Sequence, residues 1–212
     1  MNRKKIYSAV IVAVIGVPLI AFALVRHIES NFLALPYYAE DFSKIDKDKA
    51  KKVESFTFIN QDSIPINGDF MDGKVWVACY FFTTCPGICP IMIDGMREIQ
   101  QEFFQEENLR LLSFTVNPEI DNPKVLKQYA NIRNVNTKQW NFVTGSKKEL
   151  YRYARKELNL TATDGDGGLQ DFIHSDRLVL IDQENYIRGY YDGTDASEVE
   201  QLAIDIKKLL SK

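Results

Sequence analysis

The chain has 212 residues, of which 45% are hydrophobic and 26% charged, and these values are ordinary for a folded protein. This length suits one globular domain with an appendage. The first 26 residues hold four of the 26 basic residues and no acidic ones, so the rest of the chain has 22 basic and 29 acidic side chains. The resulting net charge of −7, without a basic cluster, argues against a nucleic-acid-binding surface.

The appendage is an N-terminal apolar segment, residues 7–25, which contains no charged side chain. A helix of this length crosses the core of a bilayer. Basic residues at positions 3–5 precede the segment, so the positive-inside rule predicts a single-pass anchor with a cytoplasmic N-terminus. The rest of the chain is then expected on the extracytoplasmic, or periplasmic, side. A cleaved signal peptide is the alternative, because Ala21-Phe22-Ala23 resembles a cleavage site.

We divide the chain into an anchor at residues 1–26, a tether at residues 27–52 and a globular domain at residues 53–212. Within the domain, strands are indicated by alternating or continuous apolar runs, and helices by apolar residues three or four positions apart. In chain order, the predicted elements are strands at 55–59 and 74–82, a helix at 91–107, a strand at 109–116, a helix at 123–132, a strand at 140–143, a helix at 147–158, a polar loop at 161–170, a hairpin of strands at 177–182 and 186–191, and a helix at 196–210. This order predicts an α/β, thioredoxin-like fold with a mixed central sheet flanked by helices.

Two cysteines lie where the strand at 74–82 gives way to the helix at 91–107, in the sequence C-P-G-I-C-P at residues 85–90. Side chains four residues apart on a helix face the same way, so the sulfurs of Cys85 and Cys89 can converge on one atom or bond to each other. The positive end of the helix is expected to favour thiolate over thiol. Such a pair outside the cytoplasm predicts a redox site or a site for a soft metal ion.

The third cysteine and the two histidines have different expected roles. Cys79 lies inside an apolar run and is expected to be a buried core residue. His27 adjoins the apolar N-terminal segment and is expected at the membrane interface. His174 precedes the strand at 177–182, beside a glycine-rich loop, and a thioredoxin-like layout brings that loop to the sheet end that carries Cys85. We therefore predict His174 as a third ligand, with an ordinary surface or core histidine as the alternative.

At this point the chain resembles the Sco/SenC family of copper-binding, thioredoxin-like proteins over residues 53–211. Three segments carry the resemblance: Y-F-F-T-T-C-P-G-I-C-P at 80–90, T-V-N-P-E-I-D-N-P at 115–123, and F-I-H-S at 172–175 before L-V-L-I-D. The resemblance implies that Cys85, Cys89 and His174 are copper ligands. It also implies a membrane-tethered metallochaperone, rather than an enzyme, which delivers copper to the binuclear centre of cytochrome c oxidase or to another copper protein.

Three positions depart from the family pattern. Gly87, Asn117 and Ile173 each stand where family members usually have an acidic residue. The loss of negative charge is expected to weaken support for Cu(II) more than for Cu(I) or dithiol chemistry. Asp121, Asp171 and Asp176 are nearby acids that could compensate, although Asp121 is better placed to cap the helix that follows it.

The alternative function is that of a membrane-anchored thiol–disulfide oxidoreductase, which reduces partner cysteines or acts in redox signalling. In that case Cys85 and Cys89 are a catalytic redox pair and His174 is dispensable. A peroxidase is disfavoured because Phe82 and Pro86, three residues before each cysteine, supply no hydroxyl group. A closed zinc site is disfavoured because only three ligands are visible.

Overall fold

The computed structural model describes residues 12–22, 24, 34–164 and 172–211 and divides the chain into two compact units, Met1–Leu35 and Pro36–Lys212. In the first unit, a π-helical turn at Val12–Gly16 is followed by helical residues 17–22. Among the described residues, no helix is both long enough and apolar enough to cross a membrane. The basic residues at positions 3–5 and His27, on which the predicted anchor partly rests, lie outside the described residues.

A mixed sheet of seven strands forms the centre of the second unit. Its three central strands are parallel: β5 (Val75–Phe81), β6 (Leu109–Thr115) and β7 (Trp140–Thr144). Antiparallel strands extend the sheet on both sides, namely β3 (Thr57–Asn60) and β4 (Pro65–Asn67) beyond β7, and β10 (Arg177–Ile181) and β11 (Ile187–Asp192) beyond β5. This arrangement confirms the predicted α/β, thioredoxin-like fold.

Four helices accompany the sheet: α1 (Ile88–Glu102), α2 (Pro123–Ile132), α3 (Lys147–Glu157) and α4 (Ala196–Leu210). The sequence explains where the last three begin, because a side-chain oxygen of the preceding residue accepts a hydrogen bond from a first-turn backbone N–H. These N-caps are Asn122, Ser146 and Asp195. The helix α1 differs, since its N-cap is Gly87 and no side chain caps it.

The core lies on both faces of the central strands. All residues of β5 and of β7 are buried, as expected for strands of a parallel sheet covered on both sides. Edge-on, tilted and stacked ring contacts join five aromatic side chains into one cluster: Phe56, Phe58, Tyr80, Phe114 and Tyr153. A rigid sheet of this kind fixes the loops at its ends, where the cysteines are found.

Residues 36–52 belong to the second unit, although the sequence assigned them to the tether. They contain the short antiparallel strands β1 (Tyr37–Tyr38) and β2 (Lys44–Ile45) and a 3₁₀ turn at Lys47–Lys49. Rings from β1 pack edge-on against Tyr186 and Tyr190, with centroids 5.4 and 5.3 Å apart. These contacts come from residues far along the chain, and so the polar composition of the segment does not reveal them.

Two predicted boundaries differ from the structure. Helix α1 begins at Ile88, three residues before the predicted start, so it includes Pro90 in its first turn. A proline is tolerated there, because first-turn N–H groups have no hydrogen-bond partner within the helix. The predicted polar loop at 161–170 begins with a strand, β8 (Ala162–Asp164), which pairs with β9 (Phe172–His174). The prediction of a loop was therefore wrong at residues 162–164, while the three glycines of the loop lie outside the described residues.

Candidate metal centre

The two cysteines of the C-x3-C motif follow the carboxyl end of β5. The chain leaves the strand at Phe81, and the backbone N–H of Cys85 donates to the carbonyl oxygen of Phe82 at 3.3 Å. Cys89 is the second residue of α1, so the motif spans the junction between strand and helix. The predicted position of both cysteines, at one end of the sheet, agrees with these contacts.

The side chain of Cys85 lies close enough to the Cys89 thiol to raise its pKa, and neither cysteine is in a disulfide. The Cys85 side chain is half-buried, whereas Cys89 has no exposed surface. The structure therefore places the two cysteine side chains near each other, although Cys85 lies in the loop before α1 and not on the helix. It also makes them unequal, because a molecule in solution reaches Cys85 and not Cys89.

Burial shifts the pKa of Cys89. It raises the pKa of this thiol well above the usual range, and the hydrogen bond with Cys85 raises it further, while a hydrogen bond with the backbone of Phe82 has the opposite effect. We expected the helix N-terminus to favour the thiolate. For Cys89, burial acts in the opposite direction, because it disfavours the charged thiolate.

The backbone of His174 lies at the same end of the sheet as the two cysteines. In the pairing of β10 with β5, Val179 lies opposite Ala78, so the start of β10 is next to the end of β5. His174 is the last residue of β9, where it pairs with Ala162, three positions before β10 begins. Its side chain lies outside what the structure describes, and among the described side chains no group of three His, Cys, Asp or Glu residues forms a metal site. The three-ligand set therefore stays a prediction.

Asp121 does not cap a helix, contrary to our expectation. The cap of α2 is Asn122, whose side chain accepts from the N–H of Val125 at 3.2 Å. The fully buried Asp121 carboxylate instead accepts hydrogen bonds from the N–H and hydroxyl of Thr83 and from the hydroxyl of Thr115. Burial raises the pKa of Asp121, and these hydrogen bonds partly oppose that effect.

Sequence reasoning missed Thr83 and Thr115 as parts of the site. Thr115 ends β6 and Thr83 follows β5, and these two strands are parallel neighbours. The sequence did contain a signal for this cluster. A threonine lies at or just after the end of each neighbouring strand, and an aspartate follows the second one. This signal becomes readable only once the strand order is known.

The positions that depart from the family pattern have distinct surroundings. Gly87 is exposed, and a Cβ atom added to it would meet no atom within 4 Å. Asn117 is buried and its side-chain Nδ2 has no hydrogen-bond partner among the described residues. Asp176 forms an ion pair with Arg177 at 3.7 Å, while Asp171 lies outside the described residues. Nothing in these contacts restores the missing negative charge beside the thiols.

Cys79 is a core residue, as predicted. It is fully buried in β5, where its sulfur lies 3.2 Å from the hydroxyl oxygen of Ser113. Burial raises the pKa of Cys79 to about 12, an effect that the contact with Ser113 partly offsets. The third cysteine is therefore a buried side chain of the central strand β5.

Comparison with known proteins agrees with this architecture. A protein named as a SCO1 homolog in Bacillus subtilis is 32% identical over 158 residues, which cover 74% of this chain and 81% of the homolog. A protein of Stutzerimonas stutzeri, described as a putative copper-binding protein, is 27% identical over 67% of this chain and 70% of its own length. The structure of BsSco superposes with a TM-score of 0.67 and 30% identity, covering 79% of this chain and 98% of BsSco.

BsSco is described as a member of the Sco family of cytochrome c oxidase assembly proteins with a disulfide switch. A sequence model of the SCO1/SenC family matches residues 45–211, which is most of the chain. The chain therefore belongs to the SCO1/SenC family.

Proposed function

We propose that this protein is a copper metallochaperone in which Cys85, Cys89 and His174 hold the ion. The observation that carries the proposal is the pair of neighbouring free thiols at one end of the sheet. Two adjacent sulfurs are a soft donor set, which suits Cu(I) better than the hard cations that prefer oxygen. The description of a relative as a copper-binding protein supports the same assignment.

The inequality of the two thiols suits a protein that passes its cargo on. Cys89 has no exposed surface and is the buried ligand of the proposed site, while Cys85 is the ligand that solvent reaches. Both thiols must lose their protons to bind the ion, so copper binding releases protons. A partner's sulfur can approach the ion beside Cys85, where exchange of ligands transfers copper without its release into water.

The destination that we propose is the copper-centre subunit of cytochrome c oxidase or another copper protein. BsSco, with which this chain shares 30% identity, belongs to a family of cytochrome c oxidase assembly proteins. We also propose that residues 7–25 anchor the domain to the membrane, with the site on the extracytoplasmic side. The uncharged apolar sequence and the preceding basic residues support this placement.

Copper titration of the full chain in detergent tests the proposal. We expect one Cu(I) ion for each reduced chain, a large loss of affinity in Cys85→Ala and Cys89→Ala, and a smaller loss in His174→Ala. Cys79→Ala is the matched control, because it removes a thiol from the core and not from the site. Unchanged stoichiometry and affinity in both Cys85→Ala and Cys89→Ala would refute the proposal.

A second candidate function is thiol–disulfide exchange, which the same neighbouring free thiols support. The accessible Cys85, as thiolate, would attack a partner disulfide and release one partner thiol. Cys89 would then displace the second partner thiol, which leaves a Cys85–Cys89 disulfide and a reduced partner. If Cys85→Ala abolishes reduction of an oxidised partner while His174→Ala does not, this activity exists. If the wild-type chain reduces no partner disulfide, it does not.

A further inference from the structure

We propose that Asp121 is a positioning residue, which ties the loop bearing Cys85 to the end of β6 so that the two thiols meet. The inference rests on the proposed function, in which both sulfurs act together on one ion or one disulfide. It concerns a residue that touches neither thiol and acts through Thr83.

The carboxylate of Asp121 joins two neighbouring strand ends. Its Oδ2 atom accepts from the backbone N–H of Thr83 at 3.1 Å and from the hydroxyl of Thr115 at 2.5 Å, and its Oδ1 atom accepts from the hydroxyl of Thr83. Asp121 has no exposed surface, so water does not replace these donors. Hydrogen bonds to a carboxylate shielded from water are among the stronger ones in proteins.

These bonds act on the loop two residues before Cys85. No regular secondary structure connects the end of β5 at Phe81 with the start of α1 at Ile88. The direction of this connection is set by the bonds to Thr83 and by the turn in which Cys85 N–H donates to Phe82 O. Cys89 is fixed separately by its helix, so the bonds to Thr83 affect one thiol and not the other.

Asp121 is itself held firmly. Its backbone N–H donates to the carbonyl oxygen of Asn117 at 2.9 Å, and the N–H of Asn117 donates to the Thr115 hydroxyl oxygen at 2.9 Å. The carboxylate therefore sits on a closed loop that begins at the end of β6. Movement of the Cys85 loop away from Cys89 must break hydrogen bonds to a buried group, which is costly.

We expect the hydrogen bonds of Asp121 to raise the effective concentration of the Cys85 thiol near the Cys89 thiol. Loosening the Cys85 loop lowers that concentration, and both the intramolecular disulfide and the chelated metal ion become less stable. Overall folding stability also falls when a buried hydrogen bond is lost, so a control must separate the two effects.

Asp182 provides a matched control within the same domain. It is a buried carboxylate that also accepts three hydrogen bonds, from the N–H groups of Glu184 and Tyr186 at 3.0 Å each and from Arg188 at 2.7 Å. It follows β10, whose last residue, Ile181, pairs with Trp76 near the start of β5. Asp182 therefore lies at the sheet end opposite the thiols.

The test is the thiol–disulfide equilibrium of the full chain with glutathione, in which the protein dithiol and one oxidised glutathione give the protein disulfide and two reduced glutathiones. We expect Asp121→Asn to lower this equilibrium constant about tenfold. Asp182→Asn is expected to reduce stability in urea but to leave the equilibrium constant within about twofold. A shift under twofold in folded Asp121→Asn, or equal shifts in both variants, would overturn the inference.

Thr115→Val is a second variant in case Asp121→Asn does not fold. It removes one of the three donors without changing the size of the side chain, and we expect a decrease of about threefold in the same constant. An unchanged constant in folded Thr115→Val would then count against the inference. The measurement needs no copper. A wild-type chain that fails to bind Cu(I) would thus refute the proposed function and leave the role of Asp121 standing.

Discussion

The side chain of Cys85 lies close enough to the Cys89 thiol to raise its pKa, yet of the two only Cys85 presents any surface to the solvent. A molecule in solution can therefore reach the sulfur of Cys85, whereas the sulfur of Cys89 is buried. The sequence motif alone does not distinguish the two cysteines. Their difference in solvent exposure does, and it gives each of them a testable role.

The first prediction concerns the order of reaction of the thiols. Iodoacetamide should alkylate Cys85 at least about tenfold faster than Cys89 in the folded, reduced chain, because reaction requires access to the sulfur. Mass spectrometry of digested samples taken over time measures both rates. Cys79 serves as the internal reference for a fully buried thiol. Equal rates at Cys85 and Cys89 would show that the site is open in solution.

The second prediction concerns the buried ion pair of Arg188 with Asp182, whose atoms lie 2.7 Å apart. Arg188 also donates to the carbonyl oxygen of Pro36 and lies 3.9 Å from the ring centre of Tyr37. Arg188→Met should lower the free energy of unfolding by about 3–5 kcal/mol, because it leaves Asp182 buried without its cation. Urea unfolding measures the loss.

The double variant Asp182→Asn/Arg188→Met is the control for this pair. It removes the stranded charge, so it should be more stable than Arg188→Met alone. If the single and double variants are equally stable, the cost comes from lost packing on residues 36–38 and not from the unpaired carboxylate.

The third prediction separates Asn122 from its neighbour Asp121. Asn122→Ala removes the cap of α2 and should cost about 1 kcal/mol of folding stability, while Asn122→Ser should cost much less. Neither change should alter the glutathione equilibrium of Cys85 with Cys89. An altered equilibrium in Asn122→Ala would mean that the whole segment, and not the Asp121 carboxylate, positions the thiols.

The fourth prediction concerns stability at alkaline pH. Burial raises the pKa of Cys79 to about 12 in the folded chain. The folded state then keeps a proton that an unfolded cysteine releases near pH 8.5, so the contribution of this neutral thiol is complete below that pH and is lost as the pH rises towards 12. The free energy of unfolding should fall by up to about 1.4 kcal/mol per pH unit from this group alone.

Cys79→Ala tests the assignment. Urea unfolding of the variant and the wild-type chain between pH 7 and 10 should give curves that converge at high pH, because the variant lacks the titrating thiol. Cys89 acts in the same direction, since burial raises its pKa as well, and it is present in both chains. Curves that stay parallel would show that Cys79 does not titrate across the folding transition.

Much of the fold could be predicted from local pattern. The strand at 74–82 and the helix at 196–210 correspond to β5 and α4 nearly residue for residue, because their apolar patterns match burial on two faces and on one face. Residues 36–52 were assigned to the tether, since their contacts with Arg188 and Tyr186 join distant parts of the chain and leave no local pattern. Local composition carries no information about such partners.

The same distinction applies to the site. The spacing of Cys85 and Cys89 predicted that their sulfurs can converge, but that prediction assumed one helical turn, whereas Cys85 lies in the loop before α1. The raised pKa of Cys89 was not predictable, since it depends on burial by the folded domain. Asp121 looked like a cap because caps are local, whereas its partners, Thr83 and Thr115, are joined by the order of the strands.

X-ray absorption at the copper edge of the full chain, loaded with one equivalent of Cu(I), tests the central claim most directly. The proposal predicts sulfur scatterers from both Cys85 and Cys89, together with a nitrogen scatterer that disappears in His174→Ala. A spectrum with only nitrogen and oxygen neighbours around the copper would contradict it.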